Sequence, residues 1–118
     1  MAIASDILIA LVAFLHVYFL VLEMFLWDKP YGLKTFGHTQ EIASKTKVLA
    51  ANQGLYNGFL AAGLVWGLFS QQGMNIKIFF LSCIIIAGIY GSLTAHRKIL
   101  FVQAIPGCIS LVFLLLSA

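Results

Sequence analysis

Four apolar runs divide the chain, at residues 7–27, 48–70, 78–95 and 99–118. Each comes near the roughly 20 residues that a helix needs to cross a hydrocarbon core. Charged residues concentrate in the stretches between the runs. The pattern predicts an all-α membrane protein: four transmembrane helices in one bundle, at about residues 5–27, 40–70, 76–96 and 98–117, forming a single domain over residues 1–118.

Local signals place the helix ends. Asp28-Lys29-Pro30 should close the first helix, because the residue before proline is pushed out of the α region. The segment from Lys29 to about His38 is expected as a loop along the headgroups, carrying Tyr31, Leu33 and Phe36. Thr39 is positioned as an N-cap for the second helix, with Glu41 in its first turn. Residues 71–75 read as a short external turn, so the third helix should begin near Ile76. The brief connection at His96-Arg97-Lys98 makes helices three and four antiparallel neighbours. Pro106 deprives the Val102 carbonyl of its helical donor and predicts a kink close to Gln103.

Composition supports the membrane reading. Hydrophobic residues make up 62% of the chain and charged residues 9%, against about 25% charged in soluble domains. The first run has no basic leader and no small-x-small cleavage site, so it reads as an uncleaved helix. Lys29, Lys34, Lys45, Lys47, Arg97 and Lys98 fall at the first and third connections, and Lys77 alone at the second. By the positive-inside rule, both termini lie outside and loops one and three are cytoplasmic. The formal net charge of +3 is this asymmetry and gives no sign of nucleic acid as a partner. Cys83 and Cys108 sit deep in apolar runs, without the spacing of a metal site or disulfide pair, and read as packing residues.

Polar positions inside the runs carry the candidate chemistry. His16 and Glu23, seven residues apart, share a face of the first helix. Asn52, Gln53, Tyr56 and Asn57 fill one arc of the second, beside a stripe of Ala50, Gly54, Gly58, Ala61 and Ala62 that lets another backbone approach closely. That stripe could serve within one chain or between subunits of a homo-oligomer. Tyr90 and Gln103 add polar groups from helices three and four. Counted from the cytoplasmic ends, Glu23, Asn52, Gln53, Tyr90 and Gln103 lie about 6–10 Å deep, with His16 and Asn57 near about 15 Å. Either these groups line a polar pocket in the cytoplasmic half, or they form a packing network between helices.

The residues VLEMFLW at 21–27, KTFG at 34–37 and AANQGLYNGFLAAGLVWG at 50–67 resemble a bacterial family of small integral membrane proteins, catalogued as a domain of unknown function, thirteen-oh-four. The resemblance covers essentially the whole chain. It implies a multi-pass, four-helix protein of the bacterial cytoplasmic (inner) membrane and carries no assigned activity, cofactor or catalytic residue. Glu23, Asn52, Gln53, Tyr56 and Asn57 fall within its motifs.

Three function classes follow. The leading expectation is a binding module that holds a small polar or amphipathic molecule, or a lipid, in the polar layer, with Glu23 and the helix-two amides fixing its head. The second is a proton-coupled exporter; the size and the helix-one glutamate look like those of small multidrug resistance transporters, but their weak charge bias and sequence pattern are absent. The third is a membrane enzyme acting on a lipid or thiol substrate, by fold-level analogy to the eicosanoid and glutathione enzymes. Arg97 is the only arginine, which leaves an anionic cofactor poorly served.

Overall fold

The computed structural model describes residues 1–118, all α-helical apart from short connections and without strands. Five α-helices follow in order: α1 (Ala2–Met24), α2 (Pro30–Phe36), α3 (Gln40–Phe69), α4 (Gly73–Thr94) and α5 (Ile105–Leu116). A π-helical turn over Leu100–Ala104 leads into α5.

Three features differ from the sequence expectation. The first connection is not simply a loop: α1 stops at Met24, and Pro30 opens α2 at its first turn. Proline suits that position because it has no N–H to leave unpaired and its φ is already helical. Gly37 then ends α2 with φ +68°, a left-handed conformation that glycine adopts without strain. The N–H groups of Gly37 and His38 both return to the Leu33 carbonyl there. The external turn is also shorter than expected. It spans only residues 70–72, so Met74 and Asn75 belong to α4. Gly73 permits this tight entry, since a Cβ there would sit 2.0 Å from the Gly67 carbonyl oxygen. Finally, the helix before Pro106 widens to π geometry: the Ile105 N–H reaches back five residues to the Leu100 carbonyl. The expected N-cap does form, the Ile42 N–H donating to Thr39 Oγ1 at 3.2 Å.

The chain packs as two compact units. One comprises residues 1–14 and 60–118. Its core joins Ile9, Val12 and Ala13 of α1, Ala61 and Leu64 of α3, Leu81 and Ile84 of α4, and Leu114 of α5. Small residues set the helix spacing. A Cβ on Gly88 would lie 2.8 Å from the Ala104 backbone nitrogen, and one on Gly63 would lie 2.4 Å from the Phe80 ring. Lys77 reaches Asp6 at 3.0 Å.

The second unit is residues 15–59: the end of α1, all of α2 and the first two-thirds of α3. Here α1 and α3 run antiparallel. Leu20 meets Gly58, Met24 meets Gly54, and Asp28 meets Lys47, so numbers rise along one helix as they fall along the other. Gly32 seats α2 on the end of α1, where a Cβ would lie 1.8 Å from the Leu26 carbonyl oxygen.

Candidate functional site

In the second unit a polar contact joins two apolar helical segments. Asn57 Nδ2 donates to Glu23 Oε1 at 2.5 Å. Asn57 is 5% exposed and Glu23 is half-buried. The approach depends on glycine. Gly54, one turn before Asn57, faces Glu23 and Met24, and a Cβ there would lie 3.1 Å from Glu23 Cβ and 3.2 Å from the Leu20 carbonyl oxygen. The Gly54/Gly58 stripe is thus used within the chain, against α1.

The contacts continue toward the end of α1. Trp27 Nε1 donates to Thr46 Oγ1 at 3.0 Å, and Lys47 Nζ meets Asp28 Oδ2 at 3.1 Å. The Lys47 ammonium holds the Asp28 carboxyl below the usual carboxylate range. His38 Nε2 donates to the Trp27 carbonyl at 3.2 Å, and its ring stacks with Phe36 and lies 4.4 Å from the Trp27 ring. Tyr18 and Tyr31 share a 2.5 Å hydrogen bond that ties α2 to the side of α1. These aromatic and hydroxyl contacts close the end of the unit beyond Glu23. Sequence reasoning passed over them, although a proline followed seven residues later by glycine is a helix-start and helix-stop signal.

The other predicted site residues go elsewhere. His16 is fully buried two turns before Glu23 and meets Phe19 edge-on, with ring centroids 5.2 Å apart. Asn52 donates to the Val48 carbonyl of its own helix at 2.9 Å and is exposed. Gln53 is exposed, and Tyr56 is 52% exposed with Phe59 beside it. In the other unit, Tyr90 is exposed, and Gln103 donates to the Ile84 carbonyl at 3.1 Å. The structure therefore joins Glu23 to Asn57 and distributes the remaining polar groups over separate contacts and surfaces. No three His, Cys, Asp or Glu side chains stand together as a metal site. An open groove of about 350 Å³ lies in the first unit, lined by Ile3, Asp6, Ile7, Ala10, Leu68 and Phe69.

Chemically, the Glu23–Asn57 contact is asymmetric. An amide satisfies one acceptor site of the carboxyl group but supplies no countercharge.

No solved structure matches the chain. A protein of Lactococcus lactis subsp. lactis (strain IL1403), described as "Uncharacterized protein YpaA", is 35% identical over 106 residues, covering 87% of this chain and 89% of that protein. Residues 10–115 match the family described as "Protein of unknown function (DUF1304)". With nine-tenths of its length inside that match, including Glu23 and Asn57, the chain belongs to the DUF1304 family.

Proposed function

We propose that this is a four-span protein of the bacterial cytoplasmic membrane that binds the polar head of a small amphipathic molecule at Glu23 and Asn57. Support for the membrane comes from α1 and α4, which are long and apolar enough to cross it. Only 28% and 17% of their apolar spans are buried, whereas a core helix of a soluble protein is mostly buried. Phe14, Ile86, Phe101 and Leu116 are each more than 60% exposed, as lipid-facing side chains would be. In this reading α3 and the π–α5 segment complete the four spans. The basic residues Lys29, Lys34, Lys45, Lys47, Arg97 and Lys98 at the first and third connections support an orientation with the Glu23 end in the cytosolic half and both termini outside.

The observation that carries the binding reading is the Glu23–Asn57 hydrogen bond at 2.5 Å. A carboxyl group inside an apolar helix is unfavourable without partners, and an amide alone leaves it under-satisfied. A molecule with an ammonium or hydroxyl head would complete it, and its apolar tail would lie along the exposed hydrophobic side chains.

Native mass spectrometry of the protein released from membrane nanodiscs tests this, wild type beside Glu23→Gln. A discrete adduct on the wild type that is lost in the variant supports the site and supplies the ligand's mass. Identical apo spectra would mean that the pair only joins two helices. Topology is read separately: alkaline phosphatase fused at the C-terminus should be active, and an inactive fusion would overturn the orientation.

A further inference from the structure

We infer that the exposed stripe of α3 formed by Leu49, Asn52, Gln53 and Tyr56 is the contact between two copies of this chain, related by a two-fold axis along the membrane normal. The inference rests on the reading of α3 as a membrane span, but is independent of any ligand at Glu23.

The stripe is not the face that α3 uses within its own chain. Ala43, Ala50, Gly54 and Asn57 are buried there, and Gly54 and Asn57 pack on α1. Leu49, Asn52, Gln53 and Tyr56 are exposed, with Leu49 at 72% and Tyr56 at 52%. At about 100° per residue the stripe is centred about a third of a turn away from the α1-facing set, with Gln53 at the edge nearest Asn57. The positions 49, 52, 53 and 56 follow the i, i+3, i+4, i+7 spacing of a helix-packing seam.

The chemistry of the stripe excludes lipid as a good occupant. The Gln53 side chain makes no hydrogen bond within the chain, and the Asn52 amide reaches only its own Val48 carbonyl. Counted from Lys47, both amides lie about 8–9 Å along the helix, where hydrocarbon offers them neither donor nor acceptor. A carboxamide has two donors and one accepting oxygen, so it is its own complement. No formal charge lies between Val48 and Phe59, so like charges would not meet across an axis there. The strong basic asymmetry orients every copy alike. In a parallel two-fold pair each residue meets its counterpart at the same depth, so Gln53 faces Gln53 of the second copy. One buried polar position in a seam is enough to set register and copy number.

Cysteine crosslinking in native membranes tests this, in a Cys83→Ser, Cys108→Ser background. Gln53→Cys and Leu49→Cys should give a covalent dimer with a short bis-maleimide. Leu55→Cys, an exposed α3 position off the stripe, should give little. The double variant Asn52→Leu, Gln53→Leu should shift the monomer–dimer equilibrium toward monomer by about tenfold, read by single-molecule photobleaching. It should fold normally, since both positions are exposed and neither bonds to another element. Equal crosslinking at residues 53 and 55, no crosslink at residue 53, or an unweakened dimer in the double variant would each overturn the inference. A carbonate wash distinguishes the two readings. Release of the chain from membranes removes the membrane reading and this inference together. A membrane-embedded monomer removes this inference alone.

Discussion

Glu23 on α1 and Asn57 on α3 meet at 2.5 Å beside a close approach in which Leu20 and Met24 pack on Gly58 and Gly54. This pair ties together the two long helices of the second unit, and its removal has consequences of unequal size.

In nanodiscs, Asn57→Leu should cost about 2 kcal/mol, because it leaves the Glu23 carboxyl without its donor. Glu23→Gln should cost about half as much, since a carboxamide oxygen still accepts from Asn57. The double variant Glu23→Leu, Asn57→Leu should be less unstable than the sum of its single changes by about 1 kcal/mol. Thermal unfolding of the wild type, Glu23→Leu, Asn57→Leu and the double variant checks this cycle, with Glu23→Gln measured beside them. Strict additivity would show that the contact contributes nothing.

Glycines on two seams should respond unequally to one added methyl group. A Cβ on Gly88 meets backbone at 2.8 Å, at the Ala104 nitrogen, which cannot rotate away. Gly88→Ala should therefore destabilise by about 1–3 kcal/mol. At Gly58 the only close atom is Leu20 Cδ1 at 2.7 Å, the far end of a flexible side chain. There the gain in helix propensity of up to about 1 kcal/mol should offset the crowding and leave stability nearly unchanged. Melting temperatures of the two variants decide the comparison; equal losses would refute it.

The Asp28–Lys47 pair should contribute an acid-sensitive increment of stability. Lys47 lowers the Asp28 pKa in the folded chain. The contribution is therefore present above the ordinary aspartate value of about 3.9 and is lost as pH falls through the lower folded value. Asp28→Asn should lose the increment at neutral pH, and its stability should match that of the wild type at low pH. Added salt should shrink the difference, because Lys47 is exposed. Chemical unfolding across pH 2.5 to 7 measures it. A gap between the two proteins that persists in acid would assign the effect to something other than charge.

The linear pattern alone determined that the chain is all-α, that Thr39 caps a helix and that Glu23 and Asn57 are candidates. Apolar run length and capping chemistry are local properties, legible without knowing any neighbour. Tertiary structure decided the pairing. Helical periodicity places Asn52, Gln53, Tyr56 and Asn57 on one arc but cannot say which of them a second helix will face. The close approach permitted by Gly54 selected Asn57 for Glu23 and left Asn52, Gln53 and Tyr56 exposed. The same holds for α2: its proline and glycine signals are local, but the Tyr18–Tyr31 bond and the seat of Gly32 on Leu26 arise only when the chain turns back on α1. The π turn was equally out of reach. Pro106 announces a lost hydrogen bond, but whether the helix bends or widens depends on neighbours such as Gly88, which packs against Ala104.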